Sequence, residues 1–80
     1  MIEFYRLPGC PYCQRVERVL DELELEYDPI DVPGPRTARD EVERISGQRG
    51  VPVINDPDND VHGMPESADI VEYLRATYGE

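Results

Sequence analysis

The sequence predicts an α/β fold: a four-stranded mixed sheet carrying three helices, in the order β-α-β-α-β-β-α, as one domain over residues 1–80. Three observations carry this expectation. Short β-rich stretches alternate with stretches of helical apolar spacing, the pattern of strand–helix–strand units with parallel pairing. The connection Asp56-Pro57-Asp58-Asn59-Asp60 is short enough only for an antiparallel pair. Finally, 80 residues lie near the lower limit for one hydrophobic core, and neither a repeat nor a low-complexity tail is present.

Taken in order, residues 2–6 read as the first strand, with Phe4 and Tyr5 as aromatic β-formers, and Leu7 to Gly9 as a loop. A helix follows. Val16, Val19, Leu20 and Leu23 share one face, while Arg15, Glu17, Arg18, Asp21 and Glu22 take the wet one. Residues 26–32 read as a second strand, with Tyr27, Ile30 and Val32 apolar and Pro29 suited to an edge. Pro33-Gly34-Pro35 is a turn. Thr37, with Asp40 three residues on, forms an N-cap box for a second helix that stops at Gly47 and buries Ala38, Val42 and Ile45. The third strand covers residues 51–55 and opens with Pro52, and Val61-His62-Gly63 is a short fourth strand. Ser67 caps the last helix, whose apolar stripe is Ile70, Val71, Leu74 and Tyr78.

The chemistry lies in Cys10-Pro11-Tyr12-Cys13, which holds both cysteines of the chain at the start of the first helix. Cys10 falls at the N-cap and Pro11 at the first helical position, where a missing N–H costs nothing. The Cys10 sulfur then occupies the place of a capping oxygen, where free N–H groups and the helix dipole favour an anion. A depressed thiol pKa is expected at Cys10, with Cys13, one turn inside, more shielded. Cys10 attacks and Cys13 resolves. The rival reading is half a zinc site, but a structural zinc wants four ligands and His62 is the one remaining candidate. His62 itself reads as an ordinary hairpin residue.

Three segments in order give a resemblance over essentially the whole chain. Cys10-Pro11-Tyr12-Cys13 resembles the dithiol active site of the glutaredoxins. Gly50-Val51-Pro52-Val53 resembles the family loop that ends in a cis-proline. Glu66-Ser67-Ala68-Asp69-Ile70, continued by Val71-Glu72-Tyr73-Leu74, is similar to the helix start that holds the γ-glutamyl group in the N-terminal domain of glutathione S-transferases. The resemblance implies a thioredoxin-like fold and a thiol-binding set of Tyr12, Arg49, Val51, Pro52, Glu66 and Ser67. Ser67 would donate its N–H and hydroxyl to a carboxylate, with Glu66 or Asp69 receiving an ammonium. Arg49, with Arg6 or Arg36, would attract the glycine carboxylate of glutathione. Without the resemblance, Ser67 is a plain N-cap, Pro52 a strand-opening proline and the arginines solvated surface. The chain departs from ordinary glutaredoxins at Gly63-Met64, where a Gly-Gly pair is usual, and in lacking a lysine before the active site.

The implied function is a dithiol thiol–disulfide oxidoreductase acting on protein or mixed disulfides, without a tightly bound cofactor. Glutathione or another small thiol is the co-substrate, consistent with the roughly −200 to −230 mV range of glutaredoxins. The alternatives are an electron donor fed by a thioredoxin reductase and an iron–sulfur cluster carrier. Transferase activity is less expected, since the chain ends at Glu80, where a helical domain would have to follow.

Composition narrows the partners. No apolar run approaches a membrane span, and the N-terminus has no leader-like pattern, so the chain is expected to be the whole mature protein. Two cysteines argue for a reducing cytoplasm rather than a secreted disulfide scaffold. Eighteen acids face eight bases for a net charge of −10, and every base is arginine. Such a surface repels nucleic acid and anionic lipid and is expected to belong to a monomer. The complete lack of lysine favours adaptation to high salt, where a Debye length of about 3 Å at 1 M screens self-repulsion. Dialysis from molar to millimolar salt is expected to diminish the far-ultraviolet circular dichroism of the folded chain; an unchanged spectrum removes that reading.

Overall fold

The strand with the most apolar residues takes an interior place in the sheet. β1 (Ile2–Arg6) lies inside the sheet, whose order is β2-β1-β3-β4. The structure is a computed structural model that describes residues 1–34, 39–48 and 50–79. β2 (Tyr27–Asp31) runs parallel to β1, with Ile2 opposite Tyr27 and Tyr5 opposite Ile30. β3 (Val53–Asp56) pairs antiparallel with β1, and β4 (Val61–Pro65) antiparallel with β3. β2 is an edge strand, as Pro29 requires. This is the thioredoxin-like arrangement, in the order expected.

Alternation along β1 divides the interior in two. Phe4 and Ile54 join Cys13, Val16, Val19 and Leu20 of α1 (Pro11–Glu22) and Ile70 and Leu74 of α3 (Ser67–Tyr78) in one buried cluster. Tyr5 and Val53 point the other way, to Val32 and to Val42 of α2 (Asp40–Ser46). The sheet is therefore covered on both faces, by α1 and α3 together and by α2 alone. Leu23 ends up half-buried at the C-cap of α1 rather than within its buried stripe. No helix among the described residues is long and apolar enough to cross a membrane.

Several element ends differ from expectation, each for a local reason. α2 starts at Asp40 with Arg39 as its N-cap residue, and the expected cap Thr37 and core residue Ala38 lie outside the described residues. Arg39 is 5% exposed, and its Nε and Nη2 donate to the carbonyls of Pro33 and Gly34, each at 2.7 Å. β3 begins at Val53, so Val51 and Pro52 precede the strand, and the bond between them is cis. β4 runs on to Pro65, which pairs with Val53, and the helix cap follows at once, one residue before the expected Ser67. Glu66, at φ 73°, is the N-cap of α3, and Ser67 is the first helical residue instead.

Asp56 was expected in an open hairpin turn, but it closes β3 and is fully buried. One of its oxygens accepts from Tyr73 Oη at 2.6 Å, Tyr78 Oη at 2.5 Å and Asn59 Nδ2 at 3.0 Å. Burial alone would raise this carboxyl, but the three donors hold it below its ordinary value. Burial and the carboxylate push Tyr78 up to about 12. Hydrogen bonds to a charged group are worth about 1.5–3 kcal/mol each, so this clamp is a major tie between α3 and the sheet. The other oxygen, Oδ1, has no partner among the described residues.

Gly63 lets α2 and β4 approach closely. It has φ +66°, it is buried, and its N–H donates to Asn55 Oδ1 at 2.6 Å. A Cβ here would stand 1.7 Å from the Ile45 carbonyl oxygen, which is backbone and cannot swing aside. Gly63→Ala is therefore expected to cost about 2 kcal/mol or more, from the positive φ and the forced separation together. Urea denaturation reads this directly, and unaltered stability overturns the packing argument.

Candidate active site

The site is built where β1 hands over to α1. The Cys10 N–H donates to Leu7 O at 3.1 Å, closing the loop, and Cys10 O accepts from Gln14 N at 2.9 Å, opening the helix. Cys10 is the N-cap, in extended geometry, and Pro11 follows as the first helical residue. One turn on, Cys13 is 2% exposed and packs within the Phe4–Leu20 cluster, while Cys10 is half-buried. Both are free thiols.

The two sulfurs have opposite electrostatic surroundings. Burial pushes the Cys10 thiol up. The Cys13 N–H, the Cys13 thiol, the Tyr12 N–H and the charge of Arg39 pull it down, and the pull wins. The Cys10 side chain closes no full capping hydrogen bond, so the helix start acts as a field of nearby donors. At Cys13 burial dominates. The Leu7 backbone opposes it, the Cys10 sulfur adds to it, and the thiol stands at about 11.

Beside the pair lies a cavity of about 480 Å³ lined by Tyr12, Gln48, Gly50, Val51, Pro52, Glu66 and Ser67. Five expected thiol-binding residues thus meet: Tyr12 from α1, Val51 and Pro52 before β3, and Glu66 and Ser67 at the start of α3. Arg49 and Arg36 lie outside the described residues. Arg6 does not serve the cavity, because its guanidinium is bonded to Glu17 at 2.7 Å and Asp31 at 3.0 Å. His62 is exposed on β4, with Nε2 3.2 Å from Asp60 Oδ1. Gln48 and Gly50 were missed, although their proximity to Val51-Pro52 in the chain was a usable signal. Arg39 was missed too, and nothing in its sequence neighbourhood announces a buried cation.

The family model described as the glutathione S-transferase N-terminal domain matches residues 4–80. The chain belongs to this family. It is also 33% identical over 64 residues to the glutaredoxin-like 8.6 kDa protein of the rubredoxin operon of Clostridium pasteurianum, covering 80% of this chain and 85% of that protein. Glutaredoxin 3 of Escherichia coli K12 is 30% identical over 53 residues, 66% of this chain and 64% of its own. Among solved structures, a glutathione S-transferase of the Antarctic clam Laternula elliptica superposes with a TM-score of 0.85 at 27% identity, covering 99% of this chain. Glutaredoxin 2 of Salmonella typhimurium, solved in complex with glutathione, superposes with a TM-score of 0.85 at 22% identity over 100% of this chain. The chain spans 36% and 35% of the length of those two structures. Its chemistry is thiol chemistry of the glutaredoxin and glutathione transferase type.

The unequal thiols have a direct kinetic consequence. Alkylation by iodoacetamide needs the thiolate, so its rate rises with pH through the pKa of the attacking sulfur. Mass mapping is expected to find Cys10 modified first, with a midpoint below that of an ordinary thiol, while Cys13 stays inert until the pH nears about 11. Equal rates at the two sulfurs overturn the asymmetry.

Proposed function

We propose that the chain is a glutaredoxin-like dithiol oxidoreductase that reduces protein or mixed disulfides, with Cys10 as nucleophile and Cys13 as resolving thiol. The observation that carries this reading is the electrostatic inequality of the two sulfurs at one helix start, beside a polar cavity. The Cys10 thiolate attacks a substrate disulfide, forms a mixed disulfide and expels one substrate thiolate, which takes a proton. Cys13 then gives up its proton and attacks the Cys10 sulfur. The Cys10–Cys13 disulfide forms and the second substrate thiolate leaves. Two electrons have passed from the dithiol to the substrate, and two small-thiol molecules return them by ending as their own disulfide.

The cavity suits the γ-glutamyl end of such a thiol. Ser67, as the first residue of α3, offers a backbone N–H and a hydroxyl to a carboxylate. Glu66, which also lines the cavity, offers a carboxylate to an ammonium. A structural relative solved with glutathione supports glutathione as the thiol. The exposed ring of Tyr12 and the Val51-Pro52 segment are assigned to the substrate side, and Arg49 to the glycine carboxylate. The working form is read as a cytoplasmic monomer.

A mixed-disulfide reduction assay separates the roles of the two sulfurs. Cys10→Ser is expected to abolish turnover, a loss of about 10³-fold or more as for an essential nucleophile. Cys13→Ser is expected to keep activity on small-thiol mixed disulfides, because a second thiol can replace the resolving step. Full activity in Cys10→Ser sinks the mechanism. Turnover with a thioredoxin-reductase system alone, and not with glutathione, reassigns the source of electrons.

A further inference from the structure

A second concave surface runs between α1 and α3, away from the cysteines. It is a groove of about 450 Å³ lined by Arg15, Arg18, Val19, Glu22, Ala68, Val71 and Arg75. Val19 is buried and Val71 half-buried, so the groove has apolar material between its charged walls. Three of the chain's eight bases meet here, against one acid, in a protein of net charge −10. Glu22 is already bonded to Arg75 at 3.1 Å.

Arg15 and Arg18 are the informative pair. They stand three residues apart on one face of α1, both exposed, and among the described residues neither side chain makes an ion pair or hydrogen bond. Two like charges side by side at this spacing disfavour the helix slightly, and carboxylates abound in this chain, yet neither arginine has one. Their guanidinium groups are left to meet carboxylates from outside.

The groove and the proposed substrate cavity share no lining residue but are neighbours along both helices. Tyr12, on the cavity, is one helical turn before Arg15, in the groove, while Ser67 of the cavity is followed by Ala68 of the groove. Along α1 a substrate segment flanking a disulfide at Cys10 has Arg15 and Arg18 within about one to two turns of the sulfur. We propose that this groove is the docking surface for an acidic segment of the disulfide-bearing protein substrate, whose carboxylates pair with Arg15 and Arg18. The proposal deepens the oxidoreductase reading and rests on it for the direction of the substrate.

The test uses two synthetic peptides, each closed by one intramolecular disulfide, one flanked by a run of glutamates and the other by a run of glutamines. Wild-type protein is expected to reduce the glutamate peptide with the lower KM. In Arg15→Gln/Arg18→Gln that preference should fall by roughly 2- to 30-fold, the effect of losing two exposed ion pairs. The rate on hydroxyethyl disulfide should stay as in wild type, which shows that the cysteine site is intact. Equal KM for the two peptides in the wild type, or an undiminished preference in the variant, overturns the groove assignment.

Failure of the oxidoreductase reading looks different, since wild type then reduces neither peptide nor the small disulfide. In that case fluorescence anisotropy with a labelled, cysteine-free glutamate peptide decides the groove alone: binding lost in the double variant supports it, and no binding to wild type overturns it. A second copy seated in the groove would appear as a dimer mass that the double variant abolishes, and that result also overturns the acidic-segment assignment.

Discussion

The site depends on where α1 begins. A helix that opened one residue earlier or later would take Cys10 out of the N-cap position, where the free N–H groups of the first turn favour its thiolate. The start is fixed from both sides. The Cys10 N–H is tied back to Leu7 O, and Pro11 can open a helix but cannot sit deep within one. The apolar stripe then sets the rotation of the helix, because Val16 and Leu20 must face Phe4. Cys13 lies on that same buried stripe, whereas Cys10, at the cap, lies outside it. Two thiols three positions apart thereby acquire opposite surroundings from one packing decision.

The rest of the structure holds the second half of the site against that helix. Ser67 and Glu66 reach the cavity only because α3 starts where β4 ends, and α3 is anchored at its far end by the Asp56 carboxylate gripping Tyr73 and Tyr78. A buried carboxylate is expensive unless its bonds are supplied, so Asp56 works as a clamp because donors come from both Asn59, in the 3-10 turn Pro57–Asn59, and α3. On the opposite face, Gly63 lets β4 touch α2 at backbone distance. That contact fixes the end of α2, and with it Gln48 and Gly50 on the cavity wall.

Much of this was legible in the sequence, and the reasons are physical. The order of elements followed from apolar spacing, the edge position of β2 from Pro29, and the helix start at Cys10 from its proline. Five of the six expected thiol-binding residues share one cavity because their positions were carried by motifs, each tied to an element end. The errors came where tertiary contacts overrode local signals. Asp56 sits among turn residues, yet hydroxyls from a helix seventeen and twenty-two residues away draw it inside. Ser67 has the chemistry of a cap, but β4 pairs through Pro65 and leaves the cap position to Glu66. Arg6 is an unpartnered cation in the sequence, and folding brings Glu17 and Asp31 to it.

Range explains how the Cys10 pKa can be lowered inside so acidic a chain. A net charge of −10 opposes any thiolate, and at low salt its field extends across the whole small domain. The groups that favour the Cys10 anion are the N–H donors of Tyr12 and Cys13, the Cys13 thiol, and the buried guanidinium of Arg39. The donors are fixed in the same helix turn, and the cation is enclosed, so mobile ions screen both weakly. The opposing charges are spread over exposed carboxylates, which mobile ions do reach. Raising salt therefore weakens the opposition more than the support, and the Cys10 thiolate gains by screening. The acidic surface and the lowered Cys10 pKa are compatible because their causes act over different distances.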